Sequence, residues 1–398
     1  MHKACHFNRT LGIGNTVGRP SMASWVSLFL LSFGILLPSL QAQQQDSLAA
    51  LQLDTRSFEQ LTALEDSLES AGKNQQLHAV LDFHIAKAKS EKDTVELLTT
   101  YRLRTWREEF DNAIQYADSA VQLGKYVPDE KFLTKAYYTK GFLLYEHIYP
   151  EEALDEFIKS YNLAEKNNNY ELIVDCSNAI AGLKREYGKE LESIVLLRRS
   201  LSYLDTYKEE INYFDLTYLI TLDNITRSYV QTKKLDSAFY FVQKAKDLAK
   251  EMDDSQSYAE FAILEAQTNY YAGNFTTAKD SLEQYIINFN NLPRADALFY
   301  LGMIEGELGY NENKIKCFKE YDSIINSFDY PLIDNVKQVY RYFIKEAVTN
   351  KDTKAQEAYL NRLVYYDSLE NELEQKVKLL SFTQFDVPEQ EALKKGFM

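Results

Sequence analysis

Apolar side chains recur at three- and four-residue steps along almost the whole chain, and no segment shows the alternation of a strand. The pattern predicts helix pairs at roughly 93–124, 130–167, 170–207, 212–251, 256–290, 294–328 and 331–380, after one or two helices across 46–90. Polar breaks such as Lys166-Asn167-Asn168-Asn169 and Met252-Asp253-Asp254-Ser255 separate the pairs. Pro128, Pro150, Pro293 and Pro331 are placed to open helices, where a missing N–H costs nothing. Gly124, Gly188, Gly273 and Gly309 fall at predicted helix ends, as C-terminal caps prefer.

The pattern also repeats. Gly141 is followed twelve residues later by Ala153 and sixteen later by Phe157. Thr226 stands in the same relation to Ala238 and Val242, Ala266 to Ala278 and Leu282, and Tyr101 to Ala113 and Ala117. The small residues Ala113, Ala153, Ser193, Ala238 and Ala278 therefore lie 40, 40, 45 and 40 positions apart. A fixed period in this range marks a solenoid, in which each helix pair buries its apolar face only against its neighbours. The small residues are needed because a side chain beyond Cβ would hold two crossing helices apart.

Tyr300-Leu301-Gly302-Met303-Ile304-Glu305-Gly306-Glu307-Leu308-Gly309, continuing to Ile315 and Phe318, resembles the tetratricopeptide repeat (TPR). Gly141, Ala153 and Phe157 repeat that spelling, as do Thr226, Ala238, Val242 and Ala245. The resemblance spans about 93–370 and departs from the family pattern at Lys314, a place usually held by Ala, and at Ser193. It implies an all-α fold, a right-handed superhelical solenoid of antiparallel helix pairs. The packing residues would be Ala113, Gly141, Ala153, Phe157, Ala238, Ala278 and Gly302. A second resemblance lies in Tyr359 to Leu369, which runs into a charged helix and then Gln384-Phe385-Asp386-Val387-Pro388-Glu389. This is similar to the exported repeat regions of Bacteroidetes-type sensors, whose last repeat leads to a membrane span and a DNA-binding module. Neither a span nor such a module is spelled in this sequence, so DNA binding is not carried over.

The first acid is Asp46, and an apolar stretch from Trp25 to Leu40 is followed by Gln41-Ala42-Gln43-Gln44-Gln45. The organisation read from this is a signal peptide at 1–42, N-terminal helices or a cap at 43–92, TPR-like repeats at 93–370, and a C-terminal extension at 371–398. No Cys follows the apolar run, so a lipid anchor is not expected and export to the periplasm is. Loss of residues 1–42 leaves 41 basic against 59 acidic side chains, a formal charge near −18. That balance opposes nucleic acid and anionic lipid surfaces as partners, and no membrane association is expected after signal cleavage. Cys176 and Cys317 fall in helices several repeats apart, and no bridge between them is expected.

Chemistry-bearing motifs are missing: there is no His-Glu-x-x-His, Cys-x-x-Cys, phosphate loop or nucleophile elbow. His78 and His84 are six apart on a helix, point to different faces and make a poor metal pair. No cofactor, metal or catalytic residue is expected, and the protein is read as a non-enzyme. Asp-Ser or Asp-Thr followed by a small or apolar residue recurs at Ser47, Ser67, Thr94, Ser119, Ser237, Ser281, Ser323 and Ser368. Several of these put an apolar residue inward on a second helix with Asp-Ser facing water. The Bacteroidetes-type resemblance adds O-glycosylation at such triplets as the sharper alternative.

The expected function is binding of a protein or peptide on the concave wall of first helices. Counting from the glycine-type positions places Tyr138, Asn178, Arg227, Gln267 and Tyr270 as contacts. The alternative is the periplasmic sensor portion of a transmembrane regulator whose span and output module are not in this chain. Glycan binding is a third class, disfavoured by the missing lipid-attachment Cys.

Overall fold

The structure, a computed structural model, describes residues 51–147, 149–289, 291–328 and 335–379, without the side chains of 291, 292 and 373–379. The expected signal peptide and residues 380–398 lie outside the described residues, as do Ser47 and Pro331. Among the described residues all regular structure is helical, and the fold is an all-α, TPR-like solenoid of antiparallel helix pairs.

The chain divides into two units, the first closing at Thr139 and the second opening at Lys140. The first holds α1 (Phe58–Ser70), α2 (Asn74–Glu91), α3 (Thr94–Thr105), α4 (Phe110–Gly124) and the N-terminal part of α5 (Glu130–Glu146). The second holds the rest of α5, then α6 (Pro150–Lys166), α7 (Tyr170–Glu186), α8 (Glu190–Thr206), α9 (Phe214–Gln231) and α10 (Leu235–Glu251). It continues through α11 (Ser255–Tyr271), α12 (Phe275–Tyr285), α13 (Asn291–Glu307), α14 (Asn311–Ile325), α15 (Val336–Thr349) and α16 (Thr353–Leu379).

Helix starts follow capping chemistry. Ser57 and Gln60 form a reciprocal capping box before α1, and Asp93, Asn169 and Asp254 each accept from a first-turn N–H. Pro150 opens α6. Pro293 lies inside the first turn of α13, while Pro128 sits two residues ahead of α5.

Helix ends reuse one turn. A left-handed residue is followed by an N–H that bonds back to the carbonyl five residues earlier, as in Lys189 N–H to Lys184 and Tyr310 N–H to Glu305. Gly72, Gly188, Gly273 and Gly309 fill four of these left-handed places, but Lys92, Asn168, Lys233, Asp253 and Lys351 fill others. Gly124 has a different role: a Cβ there would lie 3.0 Å from Leu133 Cα, so it permits close approach of α4 and α5.

The repeat positions are the points of closest packing. Ala113, Ala153, Ala238, Ala278 and Ser193 are all fully buried. A Cβ on Gly141 would lie 2.8 Å from the Phe157 ring, and one on Gly302 would lie 2.6 Å from the Phe318 ring. The two departures from the family spelling have local explanations. Ser193 hydrogen bonds across the helix crossing to Ser228 at 3.1 Å, both hydroxyls buried. The Lys314 stem occupies the space left by Gly306, where a Cβ would lie 2.8 Å from Lys314 Cδ, and its ammonium rests 4.3 Å from the Tyr342 ring centre.

The first unit buries Leu61, Leu81 and Leu98 completely, and with them a polar cluster. His84 places Nδ1 2.8 Å from Glu65 and Nε2 2.7 Å from Glu96, under the Phe58 ring at 5.3 Å. Two carboxylate acceptors on one ring require both nitrogens to donate, which makes the ring an imidazolium. Burial opposes that charge, but the hydrogen bonds to Glu65 and Glu96 overcome it and raise the pKa to about 9. His78 sits apart from it, at the surface 3.3 Å from Glu108. Half-buried Trp106 follows the end of α3.

In the second unit successive first helices pack on one another from α7 to α13, α7 on α9, α9 on α11 and α11 on α13, while the second helices cover the other side. Leu298, Phe318, Tyr321, Tyr340, Phe343 and Tyr366 join α13 to α16 in one aromatic-rich core. Each fully buried large side chain contributes about 1.5–3 kcal/mol. Cys176 and Cys317 are free thiols in α7 and α14, both buried, and burial raises the pKa of each.

Candidate functional site

The wall made by α7, α9, α11 and α13 carries a groove of about 440 Å³. Part of its lining comes from matching places on α9 and α11, at fixed offsets from the residue that packs at the helix crossing. On α9 the stripe is Asn224, Arg227 and Gln231, at −2, +1 and +5 from Thr226; on α11 it is Leu264, Gln267 and Tyr271, at the same offsets from Ala266. Tyr300 holds the −2 place beside Gly302 on α13, one turn after Asp296. Three- and four-residue steps keep such positions on one face of a helix. Arg185 and Glu186 of α7 and Glu190 of α8 complete the rim.

Arg227 is the most constrained of these groups. Its Nε reaches both carboxylate oxygens of Asp223, one turn earlier on α9, at 2.8 and 3.0 Å. Burial works against the guanidinium charge, but Asp223 and then Asp296 favour it, and the pKa rises above the ordinary arginine value. Tyr300 lies with its hydroxyl 3.4 Å from that of Tyr271, and burial holds it well above the usual phenol range. Glu260 of α11 is pushed up to about 8, first by burial and further by Asp223, against the Gln256 amide that donates to it. Arg185 donates to Asn224 Oδ1 at 3.0 Å. Asn224 is 2% exposed, and its Nδ2 has no hydrogen-bond partner.

The structure brings two of the sequence-derived contacts, Arg227 and Gln267, into the groove. Asn178 is buried in the seam between α7 and α9, donating to Thr221 Oγ1 at 2.9 Å. Tyr270 stands behind the lining, its ring 5.2 Å from Tyr271 and 5.7 Å from Tyr300. Tyr138 is half-buried on α5 in the first unit and does not line the groove. Asn178, Ile263 and Phe299, each three before the crossing residue, are buried in the packing, whereas Asp223 at the same offset on α9 lines the groove. Counting the −2 and +5 places in the sequence would have found Asn224, Tyr300, Gln231 and Tyr271. Among the described residues no group of three or more His, Cys, Asp or Glu is placed to hold a metal ion.

No family model and no curated protein sequence matches this chain. Solved structures do resemble it. A Rap protein complexed with competence and sporulation factor aligns at 14% identity over 85% of this chain and 99% of its own, with a TM-score of 0.51. The apo form of RapI aligns at 14% identity over 68% and 99%, with a TM-score of 0.50. Aspartyl phosphate phosphatase F from Bacillus subtilis aligns at 15% identity over 72% and 73%, also with a TM-score of 0.50. These likenesses show a shared helical-repeat fold.

Proposed function

We propose that this chain is an exported, non-catalytic scaffold that binds a peptide or an extended protein segment in the groove of first helices. The observation that supports this reading is the groove itself: polar and aromatic side chains at matching offsets on successive, mutually packed helices. A surface fixed by helix packing needs little ordering on binding, so most of the contact energy remains as affinity. A fold that a Rap protein uses while holding a bound factor fits the same role. Export rests on the N-terminal apolar stretch and the polar run after it.

Photo-crosslinking in cells tests the reading. A benzophenone amino acid at Gln231 or Tyr271, which line the groove, should give light-dependent adducts with a peptide or protein. The same group at Asp247, exposed on second helix α10, should give none. Equal adducts from Asp247, or none from the groove positions, would overturn the proposal.

A second reading is the sensor portion of a transmembrane regulator. One feature favours it: α16 runs 27 residues against 14 for its hairpin partner α15, a length suited to a lead into a coiled segment. Among the described residues no helix is long and apolar enough to cross a membrane. Sequencing the gene beyond codon 398 separates the readings, since an apolar span followed by a DNA-binding module would favour the sensor.

A further inference from the structure

Tyr170, Tyr203 and Tyr207 gather where α7 begins and α8 ends, and all three are half-buried. Tyr203 lies 5.9 Å from Tyr170 and 6.1 Å from Tyr207, tilted by 33° and 30°. Tyr170 and Tyr207 are placed differently: their ring centres are 3.5 Å apart and their planes diverge by 6°. At that separation the rings eclipse one another, an arrangement that neutral aromatic pairs avoid in favour of offset or edge-to-face contacts. The two hydroxyls also share a hydrogen bond, the first cause of a Tyr170 pKa raised to about 12. Parallel rings with their hydroxyls together bring the carbons ortho to each oxygen face to face, and those are the carbons through which phenoxyl radicals couple. Tyr270 and Tyr271, like Tyr365 and Tyr366, stand edge to face at 5.2 Å and are neighbours in sequence, so they offer neither that geometry nor a span to close.

We propose that Tyr170 and Tyr207 form an oxidative modification site, closing to a dityrosine bond that staples the start of α7 to the end of α8. Each phenol gives up one electron and its hydroxyl proton. The two phenoxyl radicals join through one ortho carbon of each ring, and the hydrogen on each of those carbons moves to its own oxygen, restoring two phenols. The electrons pass to a one-electron oxidant acting twice, such as the ferryl haem of a peroxidase or a photo-oxidised metal complex. The net change is the loss of two hydrogen atoms. Tyr207 follows the last turn of α8, outside the helix, so its ring can swing out of the stack as the new bond forms. The groove lining contains neither tyrosine, and the site does not depend on what binds there. A link from 170 to 207 also restricts the unfolded chain, as any cross-link across a loop does.

Photo-oxidation of the intact, dilute protein with ruthenium tris-bipyridine, visible light and persulfate tests it. Dityrosine emission should appear without dimer on a denaturing gel, and peptide mass spectrometry should find Tyr170 and Tyr207 in one linked pair lighter by two hydrogen atoms. Tyr170→Phe and Tyr207→Phe keep the rings and should each lose that link with circular dichroism unchanged, whereas Tyr203→Phe should keep it. The linked protein should exchange its amides more slowly at the start of α7 and the end of α8, because the two can no longer part. No link, links chiefly at other tyrosines, or exclusively intermolecular products would overturn the inference. So would as much linked Tyr170 in Tyr207→Phe as in the native protein, or unchanged exchange once the link has formed.

Discussion

His84 holds a positive charge in the interior of the first unit only because Glu65 and Glu96 close on its two ring nitrogens. Its folded pKa, about 9, lies above the ordinary 6.5. The stabilisation is therefore complete below about pH 6.5 and is lost as pH rises through 9, a change of about 3 kcal/mol. Urea midpoints measured between those limits should fall for the native protein and stay flat for His84→Leu. That variant should itself cost about 3–5 kcal/mol near neutral pH, because it leaves the fully buried Glu65 without a cation. None of this is legible in the sequence. Glu65 and Glu96 lie 19 and 12 residues from His84 on two other helices, and only the packing of α1 and α3 around α2 brings them together. A count of histidines could rule out a paired metal site but could not find the carboxylates.

Helices and their crossings were much more open to reading. The predicted pairs match the observed ones to within a few residues, from α3 and α4 at 94–124 to α13 and α14 at 291–325, since burial imposes a period that hydrophobic side chains display directly. The turns were less legible: lysine at the left-handed positions 92, 233 and 351 carries no glycine signal, and the backbone adopts the conformation because the hairpin demands it. Glycines inside helices separate into two kinds. Gly302→Ala should destabilise the protein by about 1–3 kcal/mol, because the new methyl would lie 2.6 Å from the Phe318 ring. Gly182→Ala should stabilise it by up to about 1 kcal/mol, since its nearest neighbour would be Tyr145 Oη at 3.9 Å and alanine is the better helix former. Thermal unfolding of the two variants side by side checks both signs, and a shift of the same sign in both would contradict the packing described.

At the scale of the whole chain, stability in a solenoid is a sum of local terms and nearest-neighbour contacts. Hydrogen exchange should show this directly. His84→Leu should raise exchange in α1 to α3 and leave α13 and α14 as they were, while Gly302→Ala should do the reverse; equal effects everywhere would mean one cooperative block. The sequence carried the repeat period and two groove residues, Arg227 and Gln267, while Asn178 lies in a helix seam and Tyr138 belongs to the first unit. One residue of offset turns a side chain by about a quarter turn, which a period can tolerate and a binding surface cannot. Trp106, at the end of α3, is the sole tryptophan outside residues 1–42. In a chain without residues 1–42, indole emission would watch the first unit alone, whereas tyrosine absorbance is dominated by rings in the second. An optical melt followed at one wavelength will trace one half of the molecule and pass over the other.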